Sequence, residues 1–188
     1  MSSRPGKAAI MRAAVEVMGE DGYEGASIRD MAARADVSVA ALYYHFPSKL
    51  DLLREFLDEA YDVTMARIER RLATAGDKPA ARLDVIVSTL IWSHLHDDFA
   101  QLASNVAMRE YTRLNPPERA AIEVKRKALL DLVESVVDEM GRSKDPREAA
   151  RAIITLSSSL VEPYAEIGRP LDEVIALYQR LARGLARA

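Results

Sequence analysis

The chain has 188 residues, a formal net charge of −3 and 49% apolar residues, so a sizeable core can form and bulk charge does not advertise nucleic acid. The absence of cysteine excludes disulfides, thiolate catalysis and zinc–cysteine sites. Met1-Ser-Ser-Arg4 lacks the apolar run of a signal peptide, and no apolar run approaches the roughly 20 residues that span a bilayer, so a soluble, cytoplasmic protein is expected.

Glycine and proline punctuate long stretches of helix-forming residues, and no stretch sustains a period-2 pattern. The chain therefore reads as all-α, with about nine helices. Arg4, Lys7 and Arg12 precede the first acid, Glu16, as a short basic arm that could lie on phosphates. A first helix runs from about Lys7 to Asp21, with Ile10, Ala13, Ala14, Val17 and Met18 on one face and Gly22 as its stop. Ser27 is placed to cap a second helix, with Asp30 positioned to return the bond. Ser38 is placed to cap a third, short helix that Pro47 ends, and Ser48 a fourth, from Lys49 to about Ala75. Leu52, Leu53, Phe56, Leu57, Ala60, Val63 and Ile68 mark the buried side of that fourth helix.

Pro79 opens a helix that is apolar nearly all round, which predicts a central, buried element. Asp98-Phe-Ala-Gln101 and Asn115-Pro-Pro-Glu118 read as capping boxes. Asp145-Pro-Arg-Glu148 repeats the start signal and predicts a helix ending near Pro163. Gly168-Arg-Pro170 introduces a last helix with Leu171, Val174, Ile175, Tyr178, Leu181 and Leu185 on one side.

Residues 27–46 thus form helix, three-residue turn, helix, the layout of a helix-turn-helix. On a helical wheel with Leu42 at the core, Phe46 and Val39 fall about 40° and 60° away, and Tyr44 falls about 200° away. Tyr43 lies on one flank and His45 at the other edge, so one core cannot hold all three rings.

The run "SIRDMAARADVSVAALYYHFPSKLDLL", preceded by "GEDGYEG", resembles the DNA-binding segment of TetR-family transcriptional regulators. The resemblance covers about residues 7 to 60 and continues beyond them in helix number and spacing only. It implies that Ser27 and Arg29 open the supporting helix and meet phosphate or a base. Ser38, Val39, Ala40 and Ala41 would point into the major groove, and Tyr43, Tyr44, His45 and Lys49 would clamp the backbone. Val39-Ala-Ala41 carries no side-chain hydrogen bond for a base, so readout there must be apolar, through thymine methyls. On this reading, Arg29→Ala lowers sequence discrimination and Lys49→Ala weakens all DNA binding alike.

The resemblance also implies two domains, a helix-turn-helix over residues 1–50 and an effector-binding and dimerisation domain over residues 51–188. Its partners would be an operator duplex, a small effector and a second copy of the chain, with no membrane. The stretches "MREYTRLNPPERAAI" and "PLDEVIALYQRLARGL" resemble those of members that respond to acyl-CoA or other lipid-derived effectors. Trp92, Phe99, Leu102, Met108 and Tyr111 are the candidate effector-pocket residues, with ordinary core packing the alternative for each. Arg109, Glu110 and Arg113 are candidates to anchor a polar head group or to pair at the surface. Lys125-Arg-Lys127 is expected on a solvated face. Ile153, Leu156, Leu160 and Leu181 are the candidate dimer interface, as part of a four-helix bundle, with the chain's own core as the alternative.

No metal or other cofactor is expected. His94 and His96 diverge by about 200° on a helix and cannot chelate from one face. No His–carboxylate pair at catalytic spacing supports an enzyme. The resulting expectation is a dimeric repressor released from DNA by an effector. The alternatives are a ligand-responsive activator and a helical protein-interaction module.

Overall fold

The computed structural model describes residues 6–96, 98–160 and 168–188. Among the described residues there are nine α-helices, one 3-10 turn and no strand: α1 (Lys7–Gly25), α2 (Ile28–Arg34), α3 (Val39–His45), α4 (Lys49–Leu72), α5 (Pro79–Leu95), α6 (Asp98–Glu110), α7 (Pro116–Glu139), α8 (Pro146–Ser158) and α9 (Leu171–Leu185), with the 3-10 turn at Tyr111–Arg113. None of these helices is long and apolar enough to cross a membrane.

Local chemistry sets the helix starts. Ser27, Ser38, Ser48, Asn115 and Asp145 each accept the backbone N–H three residues on. Asn115 and Glu118 complete a reciprocal capping box. Asp98 departs from expectation, because it already lies in the first turn of α6. The predicted stop near Pro163 lies outside the described residues, as does Arg4 of the basic arm.

Gly22 breaks the regular helix of α1 where expected, at φ 71° and ψ 167°, backbone that a residue with a Cβ rarely adopts, and a last short turn continues beyond the kink to Gly25. The turn after α2 has no glycine. Asp36 takes the left-handed conformation (φ 54°), while Asp36 N–H bonds Ala33 O and Val37 N–H bonds Ala32 O. That pairing is a Schellman motif with aspartate in the position glycine usually fills.

Two apolar clusters organise the molecule. The first joins α1, α2 and α3 to Leu52, Leu53, Phe56 and Leu57 of α4, and also takes in Val106, Leu114 and Ile122. The second is built around α5, which packs against α4, α6, α7, α8 and α9. Leu83, Ile86, Val87, Leu90, Ile91 and Leu95 of α5 are buried, as its all-round apolar pattern predicts. Helix α4 belongs to both clusters and ends at Leu72, one turn earlier than expected. Val63, expected on its buried side, is 48% exposed.

The candidate dimer residues divide. Ile153 and Leu160 are enclosed by the chain's own helices and offer no surface to a partner. Leu156 is half-buried and Leu181 is exposed. The correction has a simple cause. Helices α8 and α9 both pack on α5 as well as on each other, so a large part of their apolar surface is used within the chain.

Candidate nucleic-acid interface

Helix α3 is pinned from beneath. Leu42 and Phe46 are both 0% exposed, within the first cluster. The opposite face is open, with Tyr44 86% and Tyr43 47% exposed. The Tyr44 and His45 rings meet edge to face, 5.3 Å apart, and His45 is half-buried. At the N-terminal end Ser38, Val39 and Ala40 are exposed and Ala41 is half-buried. A shallow groove beside them is lined by Ile10, Asp36, Val37, Ser38, Ala41, Tyr44 and His45. The resulting surface offers methyl groups at one end and phenol and imidazole donors along the rest.

Arg29 projects from the first turn of α2, exposed and without an acidic partner among the described residues. Ser27 is less free than expected. Its Oγ accepts the Asp30 N–H at 3.1 Å and donates to the Asp30 carboxylate. A bidentate ion pair from Arg34 to Glu20, at 2.9 and 2.6 Å, ties α2 to α1.

Lys49 differs from the expected phosphate clamp. Its Nζ donates to Tyr23 O at 2.6 Å and Ala26 O at 3.0 Å, and lies 4.4 Å from the Tyr23 ring centroid. Two of its three donors therefore tie the start of α4 to the chain just past the Gly22 kink. Arg113 also lies 4.8 Å from the same ring centroid and pairs with Glu24 and Glu110. The Tyr23 ring thus meets two cations, one from α4 and one from the 3-10 turn after α6. Lys7 and Arg12, of the basic arm that could lie on phosphates, pair with Glu55 and Glu16.

The candidate effector residues have different surroundings. Phe99 and Tyr111 pack against the first cluster. The Arg12 guanidinium stacks 3.8 Å from the Phe99 ring centroid, and the Tyr111 hydroxyl donates to Glu123. Leu102 lies over Gly19, where an added Cβ would collide with a Leu102 methyl. Met108 is 58% exposed. Trp92 stands apart on α5, stacked on His96 at 3.8 Å. Glu110 is buried as the Arg113 partner, and among the described residues Arg109 reaches only its own helix, at Asn105 O, 3.4 Å away. Lys125 is pinned between Asp58 and Asp62 at 2.6 and 2.8 Å, so it is not a solvated charge.

His94 Nδ1 shares a hydrogen bond with Ser104 Oγ at 2.8 Å, and burial holds its pKa below the ordinary histidine value. Among the described residues no group of three or more His, Asp or Glu could hold a metal. Sequence reasoning missed Arg67, which faces Trp92 from α4. Its only sequence signal is the basic run Arg67-Ile-Glu-Arg-Arg71.

The family model for "Bacterial regulatory proteins, tetR family" matches residues 10–56, which contain every proposed DNA contact. The regulator CymR of Pseudomonas putida is 33% identical over 143 residues, covering 74% of this chain and 68% of CymR. The chain belongs to the TetR family. The repressor KstR of Mycolicibacterium smegmatis is 38% identical to this TetR-family chain over 81 residues. The match spans less than half of that relative, 39% of KstR, and likewise 47% of the regulator YuxN of Bacillus subtilis. A tetR-family protein from Rhodococcus RHA1 has the same fold, with a TM-score of 0.85 at 24% identity, covering 98% of both chains. AibR in complex with isovaleryl coenzyme A and operator DNA also shares it, with a TM-score of 0.76 at 23% identity, covering 96% and 95%.

Proposed function

We propose that this chain is a DNA-binding transcriptional regulator acting as a two-fold dimer, most simply a repressor released by a small effector. One observation carries the reading. A short helix is fastened by Leu42 and Phe46, both 0% exposed, yet it presents Tyr44 86% and Tyr43 47% exposed beside the methyl groups of Val39 and Ala40. Such a face suits a major groove, with phenols on phosphate oxygens and methyls against thymine. Residues 1–50 then read DNA, and residues 51–188 bind effector and dimerise. The family consists of transcriptional regulators, and no enzymatic activity is assigned to this chain.

In the mechanism, Arg29 supplies the hydrogen-bonded contact that Val39-Ala-Ala41 cannot. Tyr43, Tyr44 and His45 donate along the backbone. Lys49 holds α4 to the Tyr23 turn rather than meeting DNA with all its donors. Effector binding favours a state in which α4 has moved, changing the separation of the two reading heads. The DNA-binding state sets them about one turn of duplex apart, roughly 34–36 Å. The body is proposed to take an acyl-CoA-like or other apolar effector, a reading supported by the shared fold with AibR, which was crystallised with isovaleryl coenzyme A and operator DNA.

Fluorescence anisotropy with a random duplex tests the DNA part. Binding should weaken steeply as salt rises, and Tyr44→Ala should weaken it further. No affinity at low salt would favour a protein-interaction module instead.

A further inference from the structure

Most partly buried cations in the helical body have acids beside them. Arg82 meets Glu139, Lys125 meets Asp58 and Asp62, Arg147 meets Asp131 and Glu134, and Arg183 meets Asp84. Arg67 of α4 is different. Among the described residues it has no acidic partner. Its Nη1 donates to the neutral Ser93 Oγ at 3.0 Å, and its Cζ lies 4.4 Å from the Trp92 ring centroid. One turn on, Arg71 Nη1 donates to another neutral hydroxyl, Thr89 Oγ1, at 2.8 Å. Burial, with Arg70 and Arg71 adding like charge, pushes the Arg67 pKa down.

The Trp92 ring and the Ser93 hydroxyl offset part of the cost of drawing this guanidinium partly out of water, but neither neutralises its charge or the repulsion from its arginine neighbours, and an anion would do both. Hydroxyls satisfy donors without cancelling charge. Here the half-buried Arg67 and the exposed Arg71, on successive turns, face two hydroxyls of α5, and the Trp92 indole, stacked on His96, lies beside Arg67. The planar fork of arginine matches a carboxylate or phosphate bidentately. We propose that Arg67 and Arg71, held in place by Ser93 and the buried Thr89 and lying beside Trp92, form the anion-binding end of the effector site, taking an organic ligand that carries a carboxylate or a phosphate.

The consequence for DNA rests on the regulator reading above. Arg67 lies 18 residues after Lys49 on one continuous helix, about 27 Å along its axis. An anion held there pulls on the helix whose first residue is tied to the reading head.

Trp92 is the only tryptophan, so its emission reports this site directly. Purified protein without DNA is titrated with octanoate, coenzyme A, octanoyl-coenzyme A and the uncharged methyl octanoate. At least one anion should give a saturable change. A response to octanoate points to a carboxylate, and one to coenzyme A alone points to phosphate. Arg67→Gln should weaken the responding anion about tenfold or more, and Arg71→Gln by less. Arg142→Gln, on the exposed turn after α7, should not change it. A thermal shift on adding the same anion, present in the wild type and lost in Arg67→Gln, guards against a purely optical effect. Three results overturn the proposal: no saturable response to any anion, equal affinity in a folded Arg67→Gln protein, or equal binding of methyl octanoate. Duplex binding without any anion is measured separately. Intact DNA binding with no anion response removes only this inference, and the reverse pattern removes only the regulator reading.

Discussion

Helices α3 and α6 both carry large side chains, Tyr43 and Tyr44 on one and Phe99 and Leu102 on the other, and they use them in opposite ways. Helix α3 has one face on a core and the other in solvent, so the wheel placed Leu42 and Phe46 inside and Tyr44 outside correctly. Helix α6 packs against α1 on one side and α5 on another. Phe99 and Leu102 therefore lie against α1, over Arg12 and Gly19. Periodicity assigns direction when a helix has a single buried face. It cannot assign partners when a helix has two.

The sharpest way to break this contrast is to remove what fastens α3. Phe46→Ala should cost about 3–5 kcal/mol, seen as a lower urea midpoint. Loss of duplex binding should follow, because the outward rings lose their base. A stable Phe46→Ala protein would mean that α3 is held by something other than the cluster beneath it.

Lys49→Ala comes next. Two charge-assisted bonds to the Tyr23 and Ala26 carbonyls should be worth about 1.5–3 kcal/mol together. Thermal unfolding reads that loss. A protein of unchanged stability that binds DNA poorly would restore Lys49 to the phosphate clamp that its sequence position implied.

Gly19→Ala probes the α1–α6 contact. Helix propensity alone favours alanine by about 1 kcal/mol. The new methyl would instead collide with Leu102, and overpacking of this kind costs about 1–3 kcal/mol. Pairing it with Leu102→Ala should recover part of the loss beyond simple addition. Stabilisation by Gly19→Ala alone would show that Leu102 moves aside at little cost.

A smaller effect concerns His94. Burial lowers its folded pKa below its unfolded value of about 6.5, so the unfolded chain binds the proton more tightly. Its contribution is complete above that pH and is lost as pH falls through the folded pKa. Urea midpoints measured from pH 7.5 downwards should decline less in His94→Asn than in the wild type over that window. Parallel curves would mean that the ring stays as wet as in the unfolded chain. The smallest change in stability is expected for Arg29→Ala, within about 0.5 kcal/mol, with reduced discrimination between operator and random duplex.

The sequence by itself determined where helices start and which face of α3 is buried. Those outcomes rest on contacts three or four residues apart, such as Ser38 accepting from Ala41 and Asn115 from Glu118. It did not determine which side chains meet across the fold. Lys49 finds Tyr23 at a separation of 26 residues, Arg67 finds Ser93 at 26, and Arg113 finds Glu24 at 89. It also named Ile153 and Leu160 for a dimer that cannot reach them, since an apolar stripe does not say whose apolar surface covers it. Only packing decides that, because long-range partners are chosen by how whole helices lie on one another and not by any spacing along one of them.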